Sequence, residues 1–401
     1  MIEITGSMEK KGPKILVLGV GGGGNNAVNR MIESGVQGIS FGVVNTDLQV
    51  LQNSKAEDIL QIGKKITAGY GAGSDPEIGE ASANESSQEL EEMVKGNDLV
   101  IITAGMGGGT GTGAAPVIAR ICKECGILTV AVVTTPFTFE SLPRVNAALS
   151  GVEKLRDIVD TLLVIPNDKL LYLSDKSLEV EDAFLMADSV LRYTIEGITN
   201  IVYNKGIVNL DFNDLRATLK NKGIGHLGIG TVNSDEPILD AVKMAINSPL
   251  LDTSIAGATN LLINSSGKVN IAALNEAISY VREIAGENVN IIWGNVKADD
   301  FDYEKIVVTI IATGMPEQDL SVPKAKESIR KAVAKAVAGR PAGAGYSTQT
   351  VAAVQGYRNE ENRQSGVGNT AVNFVPGAIQ PRVAKSELVI PPFLRKEGSG
   401  R

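Results

Sequence analysis

The chain has 401 residues, 43% hydrophobic, 21% charged and only 4% aromatic, with 44 glycines. That is enough for two medium domains plus extensions, with a core resting on Val, Ile, Leu and Ala. A formal net charge of −8 lacks the basic footprint of a broad nucleic-acid binder, so no nucleic-acid partner is expected. Residues 1–13 show no apolar core of a signal peptide and read as a flexible N-terminus. No run reaches the ~18 apolar residues of a membrane span, so a cytoplasmic protein without direct membrane insertion is expected.

From Lys14 to about Asp168, short apolar runs alternate with helical patterns. The runs Lys14–Val20, Ile39–Thr46, Asp98–Ala104, Leu128–Thr135 and Thr161–Pro166 are rich in β-branched residues and almost continuously apolar. Strands buried on both faces read this way. With helices at Asn25–Ser34 and Gly113–Cys125 between them, the alternation predicts an α/β domain on a parallel sheet over 14–178.

A helical pattern follows from Glu179 to Asn204, with Ala183, Phe184, Ala187, Val190, Leu191 and Ile195 at helix spacing. Such a helix is roughly 39 Å long at about 1.5 Å per residue, so a long central helix is expected over 179–206. A second, smaller α/β domain is expected over 207–316, with strands at Leu227–Val232, Ala258–Asn264, Asn288–Val296 and Lys305–Thr313. Helices at Ile238–Ile246 and Ile271–Ile284 lie between them. Residues 317–384 are poor in apolar side chains and read as a disordered linker. Residues 385–401 then bring together Ile390, Pro391, Pro392, Phe393 and Leu394 with the basic Arg395 and Lys396. A short apolar, basic motif on a tether reads as a partner-binding peptide.

The two cysteines, Cys122 and Cys125, stand in C-x-x-C spacing inside the predicted helix. With no second pair and His226 as the only histidine, Cys and His alone do not complete a zinc site, and two packed helix cysteines are expected.

The chemistry lies in the glycines. The first strand runs into Gly19-Val20-Gly21-Gly22-Gly23-Gly24-Asn25-Asn26, where backbone N–H groups approach an anion ahead of a helix N-terminus. The segment fits G-x-G-x-x-G, and Asp47 follows near the end of the second strand. A nicotinamide- or flavin-dependent oxidoreductase on a Rossmann sheet therefore stays open at this point. A second loop, Gly107-Gly108-Gly109-Thr110-Gly111-Thr112-Gly113, follows the Asp98–Ala104 strand. A dinucleotide fold has no use for a second phosphate cradle there, whereas a nucleoside di- or triphosphate across several strand ends does. Neither loop contains lysine, so phosphate charge must be met by backbone N–H groups, threonine hydroxyls and a bound cation.

With both loops in view, the chain resembles the tubulin/FtsZ superfamily of GTPases, and within it the bacterial cell-division type. Ordered matches continue through Asn45–Gln49, Gly71–Gly79, Pro136-Phe137, Pro166-Asn167-Asp168 and Asn209–Asp214, covering about Lys14 to Met315 and returning at the terminal peptide. The resemblance implies phosphate contacts from Gly22, Gly23, Gly24, Asn25, Gly109, Thr110 and Gly111, with Ala72 and Gly73 against the terminal phosphate. It implies ribose-side roles for Glu140 and Arg144, though a pair four apart is also what a helix-surface salt bridge uses. Asn26, Asn167 and Asp188 match guanine-side residues and Phe184 a base-stacking ring. Guanine offers an N1–H and an adjacent 2-amino group to such acceptors, a pair that adenine does not present.

Asp211 and Asp214, three apart at the start of a helix, share one face. Read alone they are either a cation- and water-orienting pair or a helix cap. By resemblance, Asn209, Asp211 and Asp214 form the catalytic loop that one subunit inserts into its neighbour, so GTP hydrolysis is active on assembly in head-to-tail filaments. The resemblance further implies GTP/GDP with Mg2+ held through the phosphates, a monovalent cation as a further candidate, and location at the mid-cell division ring. Expected partners are further copies of the chain and, through Ile390–Lys396, membrane-tether and division-regulator proteins. The chain departs from many relatives at Gly223-Ile224-Gly225-His226-Leu227-Gly228 and lacks a lysine before Pro136; His226 is expected to be packed or partly exposed, without a catalytic role.

Overall fold

A computed structural model describes residues 12–36, 38–173, 179–203, 211–251, 254–267, 269–296 and 305–315. Asn209, residues 1–11, and the predicted linker and terminal peptide from 317 onward lie outside the described residues. The strands are β1 (Ile15–Val20), β2 (Ser40–Asn45), β3 (Asp58–Gln61), β4 (Leu99–Gly105), β5 (Leu128–Thr135) and β6 (Thr161–Pro166). They continue with β7 (Gly223–Asn233), β8 (Asn260–Ser266), β9 (Asn290–Val296) and β10 (Lys305–Thr313). The helices are α1 (Gly21–Glu33), α2 (Leu48–Gln52), α3 (Lys64–Thr67), α4 (Pro76–Glu85), α5 (Ser87–Val94) and α6 (Thr110–Glu124). After these come α7 (Leu142–Arg156), α8 (Asn167–Leu170), α9 (Val180–Tyr203), α10 (Phe212–Leu219), α11 (Ile238–Ile246) and α12 (Ile271–Ala285).

The strands form one sheet in the order β3-β2-β1-β4-β5-β6-β7-β10-β8-β9. Strands β3 to β6 on that list pair in parallel, with Val17 opposite both Phe41 and Ile101. Strand β7 belongs to both halves: Gly223–Gly225 pair in parallel with Thr161–Leu163 of β6, and His226–Asn233 pair antiparallel with β10. Alternation along β1 divides the core. Ile15 and Val17 pack with Val28 and Met31 of α1 and with Val190 and Leu191 of α9, while Leu16 and Leu18 pack with Leu90 of α5 and Ile118 of α6. Full burial of each such side chain contributes about 1.5–3 kcal/mol. Helix α9 lies on β5 of the first half and on β8, β9 and β10 of the second.

The largely parallel α/β fold and the long central helix agree with the sequence reading, and differences lie at particular elements. Helix α1 starts at Gly21 rather than Asn25, because the glycine run forms its first turn instead of a separate loop. Strand β3 and helices α4, α5 and α7 had no counterpart in the apolar pattern. The cysteines are not both packed: Cys122 is buried, whereas Cys125 caps the C-terminus of α6 and is exposed. His226 is buried within β7, as expected.

Asp160, just before β6, ties several elements together. Its carboxylate accepts from Lys123 Nζ (2.7 Å), Thr129 N (2.9 Å) and Asn221 N (3.2 Å). Its carbonyl accepts from Lys222 N and Gly223 N at the entry to β7. Helix α10 is fastened to the same end of the sheet, where Thr161 Oγ1 donates to Leu219 O and Thr313 Oγ1 donates to Thr218 O.

Candidate functional site

Neighbouring strands β1 and β4 lead their connections to opposite sides of the sheet, which opens a crevice at their C-terminal ends. Both glycine segments lie there. Helices α1 and α6 begin directly from them, with no side-chain cap and no acidic residue in either first turn. Their leading N–H groups and helix dipoles therefore face the crevice without a competing anion. Close packing requires the glycines. A Cβ on Gly21 would lie 2.7 Å from Gly111 N, and one on Gly24 2.3 Å from Thr103 O. At Gly22 and Gly108, by contrast, a Cβ would meet nothing within 4 Å, so both leave open space for a ligand.

The cleft holds about 370 Å3 and is lined at the glycine end by Gly22, Gly23, Gly107, Gly108, Gly109, Thr110 and Gly111. Thr110 Oγ1 is 2.7 Å from Thr46 Oγ1, and Thr112 Oγ1 accepts from Gly107 N at 2.7 Å, which fixes the second loop from within. Ala72 packs against this loop, since a Cβ on Gly109 would lie 2.8 Å from the Ala72 Cβ. Gly73 takes a left-handed conformation in the same turn, with φ of 57°.

Asn26, Glu140, Arg144, Asn167, Phe184 and Asp188 line the remainder of the cleft. Arg144 and Glu140 are bound to one another at 2.8 Å, and Glu140 also accepts from Phe137 N at 3.0 Å. The salt bridge and the cleft position thus coexist. Phe184 is 42% exposed and sets its ring edge-on to Phe137, 5.3 Å between centroids, leaving a face for a planar ligand. Asn167 is 5% exposed, and its Oδ1 is buried without a hydrogen-bond partner. Such an atom costs stability unless a ligand satisfies it. Asp188 Oδ2 is bound by Arg30 Nε at 2.8 Å, and burial pushes its carboxyl up to about 6 against the lowering influence of Arg30.

Two residues sit differently from the expectation. Asn25 is fully buried, and with its amide turned so that the nitrogen faces the loop carbonyls it donates to Gly21 O (2.8 Å) and Gly19 O (3.0 Å). It braces the first loop from inside, because a buried amide must find partners and the loop carbonyls are the nearest. Gly24 is buried too and serves the close approach of α1 to β4. Met106, Thr134, Pro136, Ala187 and Leu191 also line the cleft and were not legible as site residues. Asp47, the acid a dinucleotide site would turn toward a ribose, instead caps α2 through Gln49 N and Val50 N.

The charged side chains lining the cleft are Glu140, Arg144 and Asp188, so they add no net positive charge for phosphates. Among the described residues no group of three or more His, Cys, Asp or Glu side chains is placed to hold a metal ion. A second concavity of about 380 Å3 lies at the opposite end of the strands, lined by Lys95, Asn97, Asp98, Cys125 and Arg216. It contains none of the expected nucleotide residues.

Two helix N-termini converging at a switch point, with a buried amide and carboxylate beyond them, define a nucleotide-binding α/β protein of the tubulin type. The GTPase-domain model of the Tubulin/FtsZ family matches residues 14–175, and the FtsZ C-terminal domain model matches residues 223–316. The fold superposes on an empty FtsZ dimer from M. jannaschii with TM-score 0.73 and 40% identity, covering 76% of this chain and 89% of that one. A tryptophan-to-tyrosine mutant of M. jannaschii FtsZ gives the same score and identity, with 76% of this chain and 92% of that one covered. CetZ2 from Haloferax volcanii, solved as a GTPγS-bound protofilament, shares the fold at 19% identity and TM-score 0.66, covering 80% of this chain and 99% of that one. The chain belongs to the Tubulin/FtsZ family and is a cytoskeletal GTPase that binds GTP and GDP.

Proposed function

We propose that the chain assembles head-to-tail filaments for the bacterial division ring and that each GTPase site is completed by the next subunit. The observation that carries this reading is the separation of the chemistry within one chain. The cleft sits at the C-terminal ends of β1, β4 and β5, whereas α10 lies at the opposite end, where Arg216 faces Asn97, Asp98 and Ile127. Strand β5 has eight residues, so at ~3.3 Å each the two ends stand ~26 Å apart, beyond the reach of a side chain. Asp211 and Asp214 are both exposed there.

Asp211 Oδ1 accepts from Asn213 N (2.8 Å) and Asp214 N (3.0 Å), so Asp211 does cap α10. The cap leaves its second oxygen, and the whole Asp214 carboxylate, facing outward. On docking against a neighbour's cleft, this pair orients water beside the terminal phosphate, with Asn209, two residues earlier in the sequence, as the third member. Mg2+ held by the phosphates supplies the positive charge that the cleft lining lacks, and a monovalent cation is a second candidate. An end-to-end contact of this kind is heterologous and does not close, so it builds filaments. The peptide Ile390–Lys396 is assigned to membrane-tether and regulator proteins, and the filament to the cytoplasmic mid-cell ring.

Phosphate release from GTP across a series of protein concentrations tests the reading. Turnover should be negligible below a threshold and rise linearly above it. Asp214→Ala should bind GTP and form filaments but lose at least about 100-fold in turnover. Constant turnover per molecule down to high dilution, or loss of GTP binding equal to the loss of turnover, would refute completion between subunits.

A further inference from the structure

Arg30 belongs to none of the motifs read from the sequence, yet it binds the carboxylate at the base end of the cleft. It lies in the last turn of α1, the helix whose first turn is the glycine run. One helix thus presents its N-terminus to the phosphates and this guanidinium to Asp188, at 2.8 Å. The Nε contact falls on Asp188 Oδ2, and a carboxylate keeps further acceptor sites; Asn167 Oδ1 in the same cleft is a buried acceptor without a partner. Two open acceptors match the N1–H and 2-amino group of guanine; adenine presents neither.

We propose that Arg30 is a positioning residue for base selection, holding the Asp188 carboxylate as an acceptor that guanine satisfies and adenine does not. The inference rests on GTP occupying this cleft. Without the guanidinium, burial alone governs Asp188 and drives it toward the neutral acid, which gives up one acceptor site and adds a donor. The other charged groups on elements packed around this part of α9 are largely engaged elsewhere. Glu140 and Arg144 pair with each other, Asp168 accepts from Thr138, Glu33 is bound to Lys55, and Arg192 of α9 is bound to Glu196. Lys169 and Asp182 also have partners of their own.

The pH dependence follows from the sign of the shift. The Asp188 carboxyl stands at about 6, raised by burial and lowered by Arg30. Guanine preference is therefore complete well above that value and is lost as pH falls through it. Removing Arg30 moves the loss to higher pH, into the neutral range.

The test is displacement of a fluorescent nucleotide by GTP and by ATP, below the assembly threshold, from about pH 5 to about pH 8. The proteins are the full-length wild type, Arg30→Ala and Arg30→Lys. At neutral pH, Arg30→Ala should lose about 10- to 100-fold in its preference for GTP over ATP, the worth of a hydrogen bond to a charged group. Its ATP affinity should stay as in wild type, and its GTP inflection should move above that of wild type. Arg30→Lys keeps the charge but not the Nε geometry and should recover part of the preference. An unchanged GTP-to-ATP ratio and inflection in Arg30→Ala overturns the role of Arg30 while leaving the GTP cleft intact. A loss shared equally by GTP and ATP marks Arg30 as merely structural and also overturns it. A wild type without preference for GTP removes the guanine reading of the cleft and this proposal with it.

Discussion

Gly107 and Gly108 are adjacent, and the structure assigns their replacement by alanine opposite consequences. Gly107 has φ of 102°, and a Cβ there would lie 2.5 Å from Pro136 Cγ and 2.8 Å from Arg144 O. Left-handed strain for a residue with a Cβ costs about 1–3 kcal/mol, and forcing a methyl into filled space costs about 1–3 kcal/mol more. Gly107→Ala should therefore destabilise the fold by about 2–6 kcal/mol, a large part of the ~5–15 kcal/mol typical of a domain. Gly108 has an ordinary φ and open space for 4 Å, so the fold should change by under about 0.5 kcal/mol. Its new methyl projects instead into the cleft, where the proposed function places the phosphates. Losing one charge-assisted hydrogen bond there is worth about 1.5–3 kcal/mol, or roughly 10- to 100-fold in GTP affinity. Urea titration and fluorescent-nucleotide binding on both variants separate the two effects. A Gly108→Ala protein that binds GTP as wild type does, or a Gly107→Ala protein of unchanged stability, would refute the assignment of these loops.

Asp160→Ala should destabilise by about 2–4 kcal/mol, because the buried Thr129 N and the part-buried Asn221 N lose their acceptor, at ~1–3 kcal/mol for a buried orphan. Lys123 is one-third exposed and regains water, so its share is small; a denaturation midpoint equal to wild type would contradict this. The two thiols should also differ. Burial pushes Cys122 up to about 12, while Cys125 is exposed, so a thiol reagent at neutral pH should titrate one group in the native protein and two in denaturant. Rapid labelling of both thiols in the native protein would contradict the packing of α6.

What was legible in the sequence follows from burial. Strands β1, β4, β5 and β6 are covered on both faces and therefore carry uninterrupted apolar runs. Strand β3 stands at the sheet edge with Asp58 and Ile59 exposed, so its four residues leave no such trace. Helix α7 hid because Pro143 at its start and Gly151 within it break the pattern, although Gly151 is needed where Met106 and Thr112 press close. The glycine segments were legible as tight loops at strand ends because few other uses concentrate glycine there. Their helical first turns were not, since glycine is a poor helix former wherever packing does not impose the helix. Glu140 and Arg144 were legible as a pair by their spacing of four. The Arg30–Asp188 contact joins residues far apart in the chain, and no local pattern announces it. Asn25 matched the motif correctly in position, but whether its side chain turned outward or inward depended on loop carbonyls that only the fold brings within reach.

Strand β7 gives the molecule a mechanical property beyond its hydrogen bonds. A flexible connector would let the two halves swing with no record of the motion elsewhere. Here the connector is itself a rung of both ladders, clamped to β6 over Gly223–Gly225 and to β10 over the following eight residues. Turning one half against the other must wind this strand like a torsion bar. Next to its first residues, α10 is tied to both halves as well, through Thr161 of β6 and Thr313 of β10. The helix that carries Asp214, with Asp211 as its cap, is thus anchored to both halves at once, and neither half turns against the other without straining that anchorage.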